Sequence, residues 1–207
     1  MAAVPGWLLM QNEERRQRNK LQEAIFFFKY QFPHAIGAND GTHVAIVTPQ
    51  VNHPVHLAAP YLNRKGFYSI NVQIIVDAHL EILNTNARYP ESVYDSAIWM
   101  MSNVNRHLRN KYLNENIDYH LIGDEGYPLS PWLMVQYPGQ INPIEPREIF
   151  NQRLRRSRNC VEVLDGRLKR RFRCTLKDRT LHYNPIKAAK IIYYLFDSLN
   201  ISKFLNN

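Results

Sequence analysis

The chain has 207 residues, of which 45% are hydrophobic, 12% aromatic and 21% charged. That is enough apolar material for one domain with a buried core, and it excludes a chain disordered along its length. Cys160 and Cys174 are the only cysteines, with no paired-Cys or His/Cys spacing, which excludes a disulfide-rich scaffold and a structural zinc site and fits a reduced, intracellular compartment.

The formal charge of +8 is unevenly spread. Ten basic and three acidic side chains fall between 147 and 173, so that segment carries nearly the whole excess. A concentrated basic face is a footprint for polyanions, nucleic acid first among them. A solvated helix face or a nuclear-import signal would have the same composition. The apolar run 6–10 is too short for a signal core or a membrane span, and no other stretch is long enough. The expectation is a soluble intracellular protein with no membrane partner.

In chain order, 11–29 reads as a helix, because Leu21, Ala24, Ile25 and Phe28 recur at helical spacing until Pro33. A strand follows, carrying Asp40 and running to about Thr48, and 49–63 reads as a loop with three prolines. Residues 68–77 form a strand in which alternation gives way to a buried apolar run. Residues 81–89 are its hairpin partner through Asp77, and Pro90 ends the sheet there. A helix is predicted over 92–110, with Ile98, Met101, Val104 and Leu108 inward and Ser92/Asp95 as a capping box. Residues 119–123 are a short strand, Pro128 and Pro131 turn the chain into a loop, and 136–146 is irregular. A basic helix is predicted over 148–173, a short extended segment over 174–182 and a last helix over 185–205. This order predicts an α/β fold with a mixed sheet.

Three carboxylates sit where such a fold places ligands. Asp40 lies beside Gly41 on a β-type strand, where a buried carboxylate is expensive unless it is paired or binds a cation. Asp124 follows a short apolar strand, the usual ligand-bearing end in α/β sheets. Glu162 lies on the basic helix, about 120° from the centre of the stripe Leu154, Val161, Leu164, Leu168 and Phe172, on a flank shared with Arg155, Arg158 and Lys169. Oxygen-only ligands of this kind suit Mg²⁺ or Mn²⁺. Each has a plainer reading. Asp40-Gly41 and Asp124 serve as turn residues, and Glu162 as an i, i+4 partner of Arg158. Asp95 is explained by capping, and His43 as a packed or surface histidine. No nucleophile setting and no glycine-rich phosphate loop occurs, which leaves carboxylate-bound metal acting on phosphodiesters.

Several stretches together resemble the Harbinger transposase-derived nucleases of the DDE superfamily: Phe32-Pro33 with 37–44 (GANDGTHV), Asn63-Arg64-Lys65-Gly66 with 69–73 (SINVQ), Asp95-Ser96, 123–129 (GDEGYPL) with Pro131-Trp132-Leu133, Phe150-Asn151, and 156–162 (RSRNCVE) with 166–173 (GRLKRRFR). The resemblance spans roughly 30–175, in order. It implies a ribonuclease H-like mixed sheet flanked by helices, and a catalytic, metal-binding triad of Asp40, Asp124 and Glu162. It also gives Asp95 a supporting place and implies a nuclease domain over 31–182, preceded at 1–30 by the remnant of a larger helical region and followed at 183–207 by a helix packing on the domain. The chain departs from the family at Tyr94, Ala97, Leu154, Val163 and Asp165, the last adding negative charge one turn from Glu162.

The expected function is a divalent-metal-dependent DNA endonuclease in the nucleus. Arg155, Arg156, Arg158, Lys169, Arg170 and Arg173 would hold the DNA, and a Myb-like protein is an expected partner. The alternatives are a domesticated, catalytically weak or inactive DNA- or protein-binding module and a decaying transposon copy.

Overall fold

The computed structural model describes residues 12–49, 57–116 and 118–204. Five strands form one mixed sheet in the order β3-β2-β1-β4-β5. They are β1 (Ala35–Ala45), β2 (Ser69–Val76), β3 (Ile82–Pro90), β4 (His120–Ile122) and β5 (Leu133–Met134). The hairpins β1–β2 and β2–β3 are antiparallel, whereas β4 joins β1, and β5 joins β4, in parallel. The helices are α1 (Asn12–Tyr30), α2 (Asp95–Met101), α3 (Asn103–Glu115), α4 (Pro146–Arg171) and α5 (Pro185–Phe204). This is an α/β fold of the ribonuclease H-like kind. Among the described residues no helix is long and apolar enough to cross a membrane.

Alternation along β2 divides the core. Ile70, Val72, Ile74 and Val76 turn to one face, where Phe26 of α1, the α4 stripe Leu154, Val161, Leu164 and Leu168, and Ile192 and Phe196 of α5 pack on them. Ile75 turns to the other face, against Trp99 of α2, Val104 and Leu108 of α3 and Tyr127. All eight β2 residues are buried, as a strand covered on both faces requires. Helix α4 starts on Pro146, whose fixed φ suits the first helical turn. It ends on Lys169, Arg170 and Arg171, where positive charge meets the negative end of the helix dipole.

Five expectations need correction. The helix predicted over 92–110 is two helices. Ser102 has extended backbone, and its side chain accepts from Asn105 N, capping α3 and ending α2. The break shifts the helical phase and leaves Met101 51% exposed. Ser92 caps nothing: its N–H goes to Pro60 O, and α2 begins at Asp95 without a side-chain cap. The capping box is therefore absent, and Asp95 is available for another role. Pro128 and Pro131 do not end the sheet, because Leu133 and Met134 add β5, too short to show a period. Residues 173–179 form two 3₁₀ turns rather than an extended segment, and only Leu181 bridges to Ile46. The first strand closes at Ala45, and Ala59–Tyr61 is a 3₁₀ turn within the loop. The rest of that loop over 50–56 lies outside the described residues.

Candidate active site

The register of β1 with β4 positions the first two carboxylates. Ala38 pairs with Ile122 in a parallel ladder, and Ala38 and Ile122 pack in the same core layer. Two residues further on come Asp40, still within β1, and Asp124, two residues past the end of β4, so the neighbouring extended backbones bring the two carboxylates toward each other, about 5 Å apart in backbone. Asp40 stays within β1, opposite Ile74, and is no turn residue. Asp124 does make the turn expected of it: its Oδ1 accepts from Gly126 N at 3.0 Å. Both roles coexist, because the turn occupies one oxygen.

Asp95 enters from the other side of the sheet. Its Oδ1 accepts from Asn71 Nδ2 of β2 at 2.6 Å, and its carboxylate lies flat against Gly41. A Cβ on Gly41 would stand 2.6 Å from Asp95 Oδ1 and 2.7 Å from Cγ and Oδ2, so that glycine is required by close approach. Gly123 makes similar room for the ring of Tyr127, with a hypothetical Cβ 3.1 Å from it.

Helix α4 lies over Asp40. Arg158 donates to Asp40 Oδ2 at 2.9 Å, and Asp165 Oδ1 accepts from Thr42 Oγ1 at 2.7 Å. Lys169 in turn pairs with Asp165 at 2.6 Å, which offsets the extra negative charge at that position. Residues 158, 162, 165 and 169 fall within about 60° of helical arc. Glu162 therefore stands on the same flank, between two side chains anchored to β1. It is exposed and makes no hydrogen bond or ion pair with another described residue. The expected i, i+4 partner, Arg158, is used by Asp40 instead.

Electrostatically the site is short of positive charge. Burial raises the Asp40 carboxyl above its ordinary 3.8. Arg158 and the Gly41 N–H, which donates to Oδ1 at 2.9 Å, pull it down, and the charges of Asp124 and Asp95 push it up again. Tyr127 is buried beneath the same three aspartates. Burial first, then Asp95, Asp40 and Asp124, keep its phenol protonated far above the usual range, with Gln73 beside it. Asp124 and Asp95 thus act on Asp40, and Glu162 is not among the charges that shift it. Among the described residues, the set of three whose ligand atoms all lie within 4.8 Å of one another is Glu23, His34 and Asp118. It lies at the N-terminal end of β1, away from the aspartates, and is mostly exposed.

The six expected DNA-contacting residues divide by their partners. Arg158 and Lys169 are committed to Asp40 and Asp165, and Arg155 pairs with Glu148. Arg156, Arg170 and Arg173 are exposed and carry no ion pair among the described residues. Sequence reading missed Asn71, Thr42 and Tyr127 as parts of the site. Asn71 had a visible signal: Ser69, Asn71 and Gln73 recur at the strand period among the apolar residues of 69–76. Thr42 and Tyr127 had none. His43 is a surface histidine, paired with Glu91 at 2.8 Å.

Comparison with known proteins identifies the family of the chain. Residues 39–196 match the model of the DDE superfamily endonuclease family. The chain is 29% identical to "Putative nuclease HARBI1" of Rattus norvegicus and 28% identical to that of Homo sapiens, in each case over 161 residues that make up 77% of this chain and 43% of the relative. It is 26% identical to "Protein ALP1-like" of Arabidopsis thaliana over 151 residues, 68% of this chain and 36% of that protein. The chain thus spans about two fifths of the length of the curated relatives it matches. No solved structure matches it. Because the family model covers well over half of the sequence, the chain belongs to the DDE superfamily endonuclease family, as the Harbinger resemblance of its motifs implied.

Proposed function

We propose that this chain is a nuclease that hydrolyses phosphodiester bonds of DNA, with Asp40, Asp124 and Glu162 holding Mg²⁺ or Mn²⁺. Family membership implies a nuclease-like function and use of a divalent metal. The observation that carries the finer reading is the β1–β4 register, which sets two carboxylates side by side with a third behind them and one arginine as counter-charge. The donor set fits the group: every side chain offered is a carboxylate, and Asp40 is held in a buried setting that a cation would relieve, with Asp124 and Asp95 adding negative charge. When bound, a pair of such ions supplies an activated water and stabilises the leaving oxygen.

The chain's own residues do the rest. Asp40 and Asp124 would hold the metal from the sheet side, and Glu162 would join them from α4. Arg158 is released from Asp40 Oδ2 to face the phosphate. The Tyr127 hydroxyl, kept protonated beneath the aspartates, would be available to donate toward them. Arg156, Arg170 and Arg173 hold the DNA backbone through charge, beside Arg155 and Lys169. Within this proposal the protein works on nuclear DNA, with a Myb-like partner supplying target recognition.

The test is the thermal midpoint with and without Mn²⁺, alongside cleavage of labelled duplex. Free metal at a hundred times Kd stabilises by about 2.7 kcal/mol, a rise of roughly 5–10 °C for a domain of this size. Wild type should show the rise and cut, and Asp40→Asn should do neither. A triple Asp40→Asn, Asp124→Asn, Glu162→Gln protein cutting at the wild-type rate would sink the proposal.

One observation favours the second reading, a catalytically inactive binding module: Arg158 already pairs with Asp40, and Glu162 is exposed with no partner among the described residues. That reading expects no midpoint rise and a salt-dependent DNA affinity unmoved by triad substitutions.

A further inference from the structure

Beyond the C-terminal half of β1 the surface opens into a cavity of about 290 Å³, bounded by the turn 63–67, the segment 175–177 and Lys169 of α4. Its volume is close to the lower end of the roughly 300–1,000 Å³ of small-ligand pockets. Four cations line it: Arg64, Lys65, Lys169 and Lys177. Arg64, Lys65 and Lys177 meet no carboxylate at ion-pair distance among the described residues. The acid in the wall, Glu91, is already used by Ser69 at 2.6 Å, Asn63 at 3.0 Å and His43 at 2.8 Å.

The basic turn is built rather than loose. Asn63 N donates to Phe67 O at 2.7 Å, Lys65 N donates to Asn63 Oδ1 at 2.7 Å, and Gly66 takes the positive φ of 78° that the turn needs. An aromatic face is also present: Lys177 Nζ stands 5.4 Å from the centroid of the Phe67 ring. Cations together with an aromatic ring are the elements that hold an unpaired nucleotide. The cavity is also tied to the candidate active site, because Lys169 holds Asp165 and Asp165 holds Thr42, two residues along β1 from Asp40. At about 3.3 Å per residue, His43 in the cavity wall lies roughly 10 Å along the strand from Asp40.

We infer that this cavity is a subsite for one unpaired nucleotide of the DNA strand, next to the bond at the aspartates. The base stacks on Phe67 in place of the Lys177 ammonium. Lys177, Arg64 and Lys65 take its phosphate. The inference rests on the nuclease reading and extends it, naming single-stranded or locally opened DNA as what the site accepts.

The test is fluorescence anisotropy of a short labelled single-stranded oligodeoxynucleotide, and of the same strand made abasic, in an Asp40→Asn background that removes cleavage. Phe67→Ala and the volume-keeping Phe67→Leu should weaken binding of the intact strand about tenfold, from the loss of one stacked base, and Phe67→Tyr should restore it. The abasic strand should bind weakly to all of them alike. Arg64→Ala with Lys65→Ala should lower the slope of log affinity against log salt by about 1.4. Intact and abasic strands binding equally, or both Phe67 substitutions binding like the parent, would overturn the subsite and leave a plain phosphate contact. Wild-type cleavage in Mn²⁺ is read separately. Phe67-dependent binding without any cleavage would refute the nuclease reading and leave the subsite standing.

Discussion

Gly41→Ala tests whether Asp95 belongs to the site through close packing. The added Cβ would stand 2.6 Å from Asp95 Oδ1, against an optimum of about 3.5 Å or more for non-bonded heavy atoms. Something must therefore move by most of an ångström. The strand backbone at Gly41 is held by pairing with Gln73 of β2, so the carboxylate is what yields. A shift of that size stretches the 2.6 Å bond from Asn71 Nδ2 past the usual 3.2 Å limit. Overpacking costs about 1–3 kcal/mol, and lost freedom of the unfolded glycine returns about 0.4–1 kcal/mol. With part of a charge-assisted hydrogen bond also lost, the net cost is about 2 kcal/mol, a fall of roughly 4–8 °C in midpoint. Asp95→Ala alone should cost only about 1 kcal/mol, since Asn71 keeps the Val93 carbonyl at 3.0 Å and the like-charge repulsion on Asp40 is relieved. The double variant should cost no more than Asp95→Ala, because the alanine Cβ then has room. Denaturant unfolding of the four proteins gives the coupling, expected at more than 1 kcal/mol. Additivity within about 0.5 kcal/mol would refute the packing argument.

Arg158→Ala removes the counter-charge of a pair whose side chains are 15% and 25% exposed. A fully buried orphaned charge costs about 3–5 kcal/mol, and at this exposure roughly 1–2 kcal/mol. The metal-free midpoint should therefore fall, while the rise on adding Mn²⁺ should exceed that of wild type, because the cation no longer competes with a guanidinium. An equal or smaller rise would count against Arg158 as the resident counter-ion. The pH dependence of Asp40 has a definite sign. Its folded carboxyl holds a proton more tightly than the unfolded 3.8, so the site is least costly below that pH, and stability is lost as pH rises from there through the folded value. Asp40→Asn stays neutral throughout. In chelated buffer the variant should match wild type near pH 3.5 and become the more stable protein as pH rises toward 7. A difference independent of pH would refute the raised carboxyl.

The sequence by itself determined four of the five strands, the long first, basic and last helices, the mixed sheet and which carboxylates to consider for the site. Period two over 69–76 and period 3.6 along 154–168 are written into residue type, because an apolar side chain in the wrong phase would face water. It also concentrated the positive charge on one helix. Only the tertiary structure decided how those groups pair. Asp95 read as a helix cap because Ser92 stands three residues before it, yet Ser92 turns to Pro60, and the glycine gap at 41 draws the carboxylate to the sheet. Arg158 and Glu162 have the spacing of a local ion pair, worth only a few tenths of a kcal/mol. A half-buried Asp40 across the interface is the stronger competitor, since leaving it unpaired costs more. The two-residue strand at Leu133 carries no periodicity at all, and exists because β4 presents an open ladder to it. Local pattern fixes which face a side chain takes. Which charge it meets depends on contacts more than a hundred residues apart in the chain, as between Asp40 and Arg158.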